Sequence, residues 1–446
     1  MECEEDRTLK LRTPSSSPPS GHIPVTVNDN WHKLQVTTIT PVYGGGVTAG
    51  EPDAELPVRA SSIRGQLRFW WRLLHRTHHG RALFTAERQL WGAMGQPNRD
   101  YASKVRLRVR EVSNVRWEAC ARFSQGRDGR YRSTPNFLHN IPPYAMFPGQ
   151  GRLARDRRSI ENDPADVLLP GLGFVLDVEC PSDRWSEVEQ TLRWWASFGG
   201  LGARTRRGLG AFQIPGIGPA PTSEEAADKG CRLVLKGSYP RADQAWKIAI
   251  EALQTFRQGE GFARRKRSAG ATVPGRSYWP EPDSIREITG QHRVKADGSS
   301  FAPVHPARIA FPRAYFGLPI LFHFKNIKRD NPPNERKDLH SDPRDTTLVP
   351  AGEGIERMAS PLILKPLALS DGQYAACALA LPTEHLNDLA LVLRWGDTPL
   401  RTFPTDDWWP TGAADARVKA ADIRPMQDRD ATDPLTAFLD YFAKGR

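Results

Sequence analysis

The spacing of apolar residues changes along the chain in a definite order. From Lys33 to Thr40 the segment KLQVTTIT is β-branched and predicts a strand, ended by Pro41 and the glycines Gly44, Gly45 and Gly46. From Ser61 to Arg76 the period lengthens. Ile63, Leu67, Trp70 and Leu74 share one helical face, and Ser61 or Ser62 is available as N-cap. KVRLRVREV, Lys104 to Val112, returns to alternation, with Val105, Leu107 and Val109 set between basic residues. LGFVLDVEC, Leu172 to Cys180, is the clearest strand of this half, RWSEVEQTLRWWASFGG supplies a second helix, and GAFQI closes with a short strand. Strand, helix, strand, strand, helix, strand is the split βαβ order of a ferredoxin-like α+β domain, the topology of RNA-recognition motifs.

A second cycle follows. IPGIGPAPTSEEAADKG reads as a linker, CRLVLKGS as a strand, and the segment from about Asp243 to Phe256 as a helix. FGLPILFHF, SPLILKPL and YAACALAL are apolar runs of strand length, and DPLTAFLDYF predicts a docking helix with Asp433 at the N-cap and Pro434 at the first helical position. These boundaries divide the chain into a flexible tail over 1–28, an N-terminal α+β domain over 29–215, a linker over 216–229 and a C-terminal α+β domain over 230–446. Long loop insertions fall at about 113–170 and 326–357.

Composition narrows the function classes. Lys and Arg number 62 against 51 Asp and Glu, a formal charge of +11 that favours acidic partners, nucleic acid first. No run of eighteen apolar residues occurs, and the acidic start MECEEDRTLK is unlike a signal peptide, so a cytoplasmic protein without a membrane partner is expected. Cys3, Cys120, Cys180, Cys231 and Cys377 are scattered without a C-x-x-C pair, which argues against a disulfide framework or a cysteine zinc site.

The densest chemistry lies in GGLGARTRRGLGAF, Gly199 to Phe212. Gly199, Gly200, Gly202, Gly208 and Gly210 free the backbone for close approach, and Arg204, Arg206 and Arg207 add planar donor forks suited to phosphate. No Gly-Lys-Ser/Thr ending is present, and Thr205 falls where the last glycine of a dinucleotide fingerprint would stand, so nucleotide hydrolysis is not indicated. Leu209 stands where a base-stacking aromatic of an RNA-recognition strand would be. The same run would also suit a glycine-rich turn with solvated arginines.

The first helix offers a second basic surface. Arg64, Arg68, Arg72 and Arg76 recur every four residues without interleaved acids, and with Arg59 they suit phosphate binding at a helix start. The basic alternation of Lys104 to Val112 could extend that surface. In the 113–170 insertion, Tyr131, Tyr144 and Phe147 among arginines suit single-stranded nucleic acid, though ordinary loop packing explains them equally. His75, His78 and His79 lack a ligating carboxylate in their own string, so no metal or other cofactor is expected there.

TPVYGGG, PVRASSIRGQLRFWWR, GGLGARTRRGLGAF, GRSYWPE, FGLPI and RMASPLILKPL occur in the order found in the first Cmr subunit of type III-B CRISPR effectors, and the chain resembles that RAMP family from about residue 37 to 366. The resemblance implies two ferredoxin-like RAMP domains in an RNA-guided complex. It implies guide RNA, target RNA and the other Cmr subunits as partners, a place at the head near the guide 3′ end, and a part in capturing target RNA for antiviral defence. Its basic motif maps onto Arg59, Arg64 and Arg68, and its glycine-rich loop onto Gly199 to Gly210. The cyclase motif and His-Asp pair of another subunit are lacking. An aspartate of a comparable loop cleaves RNA in backbone RAMP subunits, which makes Asp53, flanked by Glu51 and Glu55, the alternative: a metal-dependent endoribonuclease. The acidic trio is also what a solvated loop would carry, and a non-catalytic subunit is expected.

Overall fold

The computed structural model describes residues 31–93, 102–267, 275–294, 300–324 and 341–445. The expected tail over 1–28 and the 326–340 part of the second insertion lie outside them. The first half contains strand β1 (His32–Thr38), helices α1 (Ala60–His79) and α2 (Leu83–Trp91), strands β2 (Arg106–Ser113) and β3 (Gly173–Glu179), helix α3 (Trp185–Phe198) and strand β4 (Phe212–Gln213). The strands form one antiparallel sheet in the order β4-β1-β3-β2. Its inner face, with Val36, Phe174, Leu176 and Val178, is buried in one cluster with Ile63, Leu67, Trp70 and Leu74 of α1 and Val188, Leu192 and Trp195 of α3. Trp70 packs 6.3 Å from Trp194 and 6.1 Å from Phe198. Each such buried side chain contributes about 2–3 kcal/mol.

Two expectations change here. Arg59, not a serine, holds the N-cap of α1, without a side-chain cap bond, because the helix starts at Ala60 and places Ser61 and Ser62 inside its first turn. The basic side of β2 does not join α1, because alternation sends Arg106, Arg108 and Arg110 to the opposite face of the sheet. There Arg108 and Arg110 bind Asp177 at 2.9 and 2.6 Å, Arg106 binds Glu179, and Arg108 covers Trp31 at 4.7 Å. Arg110 above all, then Arg108, holds the buried Asp177 carboxyl below its usual range.

The second half contains β5 (Arg232–Tyr239), α4 (Ala242–Gln258), α5 (Glu281–Thr289), β6 (Ile320–Phe322), β7 (Thr346–Pro350), β8 (Leu362–Ala368), β9 (Tyr374–Ala380), β10 (Leu391–Trp395), β11 (Thr398–Phe403) and α6 (Pro434–Lys444). It is not a plain repeat of the first. β5-β9-β8 form a three-stranded sheet, and β6-β7-β10-β11 form a separate four-stranded one that the apolar runs did not announce. The stretch read as a linker carries a helix, Ser223–Asp228, with a Thr222–Glu225 capping box, and Glu225 takes both Nη groups of Arg193 from α3 at 2.8 Å.

The β5-β9-β8 sheet joins the two halves. Leu362, Leu364, Ala376 and Ala378 lie in one cluster with Trp246, Ile250 and Leu253 of α4, whereas Ile363, Leu367, Cys377 and Leu379 lie in the first half's core. A strand buried on both faces needs apolar side chains at every position, which accounts for the unbroken runs SPLILKPL and YAACALAL. Lys365, on the face toward the first half, donates from Nζ to Gly199 O at 2.8 Å and Ala196 O at 3.3 Å. It thereby occupies carbonyls that α3 leaves open at its C-terminus.

Candidate nucleic-acid interface

The glycine-rich run leaves α3 at Gly199, makes a single helical turn over Thr205–Arg207, and enters β4. Its backbone is stitched into its surroundings. Leu201 N donates to Gly210 O at 2.9 Å, Ala203 N to Tyr43 O at 2.7 Å, and Gly210 N to Pro41 O at 2.7 Å. Arg207 O accepts from Trp246 Nε1 at 2.7 Å, and Gly208 O from Thr40 Oγ1 at 2.7 Å. Packing therefore explains the glycines. At Gly208 φ is +82°, and a Cβ would fall 2.4 Å from Trp246 Nε1 and 2.9 Å from Leu364 O. At Gly202 φ is +72°, and a Cβ would meet Tyr43 O at 2.5 Å.

The loop arginines are partly buried against protein acceptors. Arg204 Nε donates to Ala145 O at 2.6 Å, and Arg206 Nη1 donates to Ser360 O. Arg207 donates to Leu362 O at 2.8 Å, Ser360 Oγ at 3.1 Å and Phe316 O at 3.5 Å, tying the loop to the second half. Burial, then the nearby Arg257, pulls the Arg207 guanidinium down to about 9, still charged at neutral pH. The sequence reading assigned these side chains to phosphate, with solvent as the alternative, and did not anticipate carbonyl acceptors. The insertion supplies the acceptor of Arg204, and Phe316, Ser360 and Leu362 of the second half supply those of Arg206 and Arg207.

The basic row of α1 also has partners that lie far off in sequence. Arg68 Nε and Arg72 Nη1 both reach Glu87 Oε1 of α2 at 2.6 Å, Arg64 Nη1 reaches Ser103 Oγ at 2.6 Å and Val105 O at 2.9 Å, and Arg76 meets Glu384 at 3.2 Å. Arg59 donates to Gly45 O. The acid absent from α1 itself is supplied by its neighbour helix, so this face is not an unneutralised stripe.

What the fold does bring together is the other side of α1 and the loop. Ser62, Gly65, Gln66 and Phe69 of α1 and Gly199, Thr205 and Arg206 of the loop line an open cleft of about 320 Å³, together with Ile363 of β8. The Arg206 guanidinium lies 5.8 Å from the Phe69 ring centroid. Burial lowers the Arg206 pKa from its ordinary value. A π face beside a cation, with hydroxyl and amide groups at the rim, suits one base and its phosphate. Gln66 and Phe69 did not enter the sequence reading. An aromatic off the Ile63–Leu67–Trp70–Leu74 face was the signal that marked Phe69.

Asp53 is engaged in its own loop, where Oδ1 accepts from Leu56 N at 2.9 Å and Glu55 N at 3.1 Å. His75 Nδ1 lies 2.9 Å from Trp71 O. Among the described residues no His, Cys, Asp and Glu gather as three or more possible ligands of one metal ion, and no helix is long and apolar enough to cross a membrane.

No curated protein matches the sequence. Among solved structures, the chain is similar to apo Cmr1 from Pyrococcus furiosus, at 16% identity and a TM-score of 0.37, over 78% of this chain and 86% of that one. It is also similar to a chain of a type III-B Cmr-beta structure bound to cognate target RNA and AMPPnP, at 12% identity and a TM-score of 0.36, over 78% of this chain and 93% of that one. The model of the RAMP superfamily matches residues 35–213, which run from β1 to β4 and hold both α1 and the glycine-rich loop.

Proposed function

We propose that this chain is a non-catalytic RNA-binding subunit of a type III-B CRISPR (Cmr) effector, the counterpart of Cmr1, working in the cytoplasm at the head of the complex near the guide 3′ end. Both halves are read as ferredoxin-like RAMP domains: the first has all six elements, and the second keeps β5, α4, β8, β9 and α6 in that order. The observation that carries the reading is the convergence of α1 and the glycine-rich loop on one cleft, with Phe69, Gln66 and Arg206 at its walls. The excess of basic residues supports it through attraction to phosphate. Guide and target RNA and the neighbouring Cmr subunits are the partners in this reading. Asp53 serves the loop turn and not cleavage.

The test is anisotropy of a labelled single-stranded RNA with wild type and with a Gln66→Ala, Phe69→Ala double variant. Loss of a stacked base should weaken binding about tenfold or more, while melting stays cooperative and falls only modestly, because Phe69 also packs on Trp70. Wild-type affinity should fall steeply with salt. Unchanged affinity in the double variant, or a flat salt dependence, would overturn the reading.

A further inference from the structure

Partly buried arginines in this protein repeatedly meet an acid: Arg68 and Arg72 meet Glu87, Arg276 and Arg286 meet Asp283, and Arg313 meets Glu281. One group departs from that pattern. It lies where the 113–170 insertion, the glycine-rich loop and the end of α4 come together. Tyr144 of the insertion accepts from Arg257 Nη1 at 3.0 Å, and it is an electrostatic neighbour of Arg204, Arg207 and Arg264. The leading other charges acting on these three are Tyr43 on Arg204, Arg257, Arg204 and Arg206 on Arg207, and Arg313 on Arg264, and none of these is a carboxylate.

Two donors of the group, Arg257 Nε and Arg264 Nε, are shielded from solvent without an acceptor among the described residues. Crowded cations repel, and a buried unpaired N–H of a charged group is costly. Arg204 adds a left-handed backbone at φ +56°, a strained conformation for a residue with a side chain. Arg207 has its fork filled by carbonyls and contributes charge. Both the repulsion and the unpaired donors would be relieved by an oxyanion, whose geometry matches guanidinium forks.

We propose that Arg204, Arg257, Arg264 and Tyr144 form an oxyanion site for a phosphate group, supplied either as a phosphodiester of a bound polynucleotide, which rests on the RNA-binding reading, or as free phosphate, which does not.

The test uses the full chain. Melting is followed in inorganic phosphate and in chloride at matched ionic strength, and RNA binding by anisotropy, for wild type, Arg264→Gln and the charge-conserving Arg264→Lys. Wild type should show a saturating rise in Tm specific to phosphate. Arg264→Gln should melt higher than wild type in phosphate-free buffer, since an uncompensated charge is gone, and should lose that rise. Arg264→Lys, without the planar fork, should retain only part of it. If a phosphodiester is the natural occupant, Arg264→Gln also weakens RNA binding about tenfold and free phosphate competes with RNA. If free phosphate is the occupant, RNA affinity stays as in wild type while the phosphate response is lost. Failure of the Gln66 and Phe69 test removes the RNA arm and leaves the phosphate arm standing. The proposal is overturned if phosphate acts no differently from chloride and Arg264→Gln binds RNA like wild type, or if Arg264→Gln lowers Tm equally with and without phosphate.

Discussion

Replacing Lys365 by methionine probes the joint between the two halves through pH. The ammonium sits on β8 facing the first half, bonded to Ala196 O and Gly199 O, 5.8 Å from the Phe212 ring and opposite Cys377 of β9. Burial pushes its pKa from 10.5 down to about 7, and pushes the Cys377 thiol up to about 12. Between pH 7 and 10.5 the unfolded chain therefore holds a proton at Lys365 that the folded chain has released. Stability must rise with pH across that window, by at most about 1.4 kcal/mol per pH unit, and the whole penalty, roughly 5 kcal/mol, is in force below pH 7. Methionine removes the penalty but leaves two carbonyls without this donor, at about 1–3 kcal/mol each. At pH 7 the effects nearly offset. At pH 9 the variant should be less stable than wild type by about 2–3 kcal/mol, since wild type alone has gained from deprotonation. Urea unfolding at pH 7, 8 and 9 reads the difference, and other titrating groups cancel between the two proteins. Parallel pH profiles for wild type and Lys365→Met would refute the argument.

Three further outcomes follow from the same geometry. Arg207→Lys should lower stability by about 1–3 kcal/mol, because it keeps the buried charge but lacks the planar fork that serves Leu362 O and Ser360 Oγ together, and a melting temperature within a degree of wild type would contradict this. Gly202→Val should cost at least about 4 kcal/mol or prevent folding, since a β-branched residue at φ +72° also meets Tyr43 O, and soluble expression with a normal melting curve would show the loop to be more pliable than described. Under the proposed function, Asp53→Ala should leave target cleavage by the assembled complex unchanged, because its carboxylate caps Glu55 N and Leu56 N, whereas loss of one cleavage position would restore the ribonuclease alternative.

The periodicities of the first half were legible because a helix or strand writes its own hydrogen-bond geometry into the spacing of apolar residues within a few positions. β3 and α3 fall within the predicted segments, β1 begins one residue before its segment, α1 overruns its segment at both ends, and α6 begins as read, with Asp433 accepting from Leu435 N and Thr436 N and Pro434 at its first position. The doubly buried β8 and β9 were equally visible as unbroken apolar runs. The separate β6-β7-β10-β11 sheet was not, since β8 and β9 of the other sheet intervene along the chain between β7 and β10, so sequence order does not give the pairing.

The arginines were decided by tertiary structure alone. A guanidinium fork fits phosphate, carboxylate or carbonyl oxygen, so sequence could identify the donors but not their acceptors. The acceptor of Arg68 lies 19 residues away in Glu87, and that of Arg207 lies 155 residues away in Leu362. No local pattern reaches so far. Only the packing of α2 against α1, and of the second half's sheet against the glycine-rich loop, determined which basic side chains became structural ties and which line the cleft.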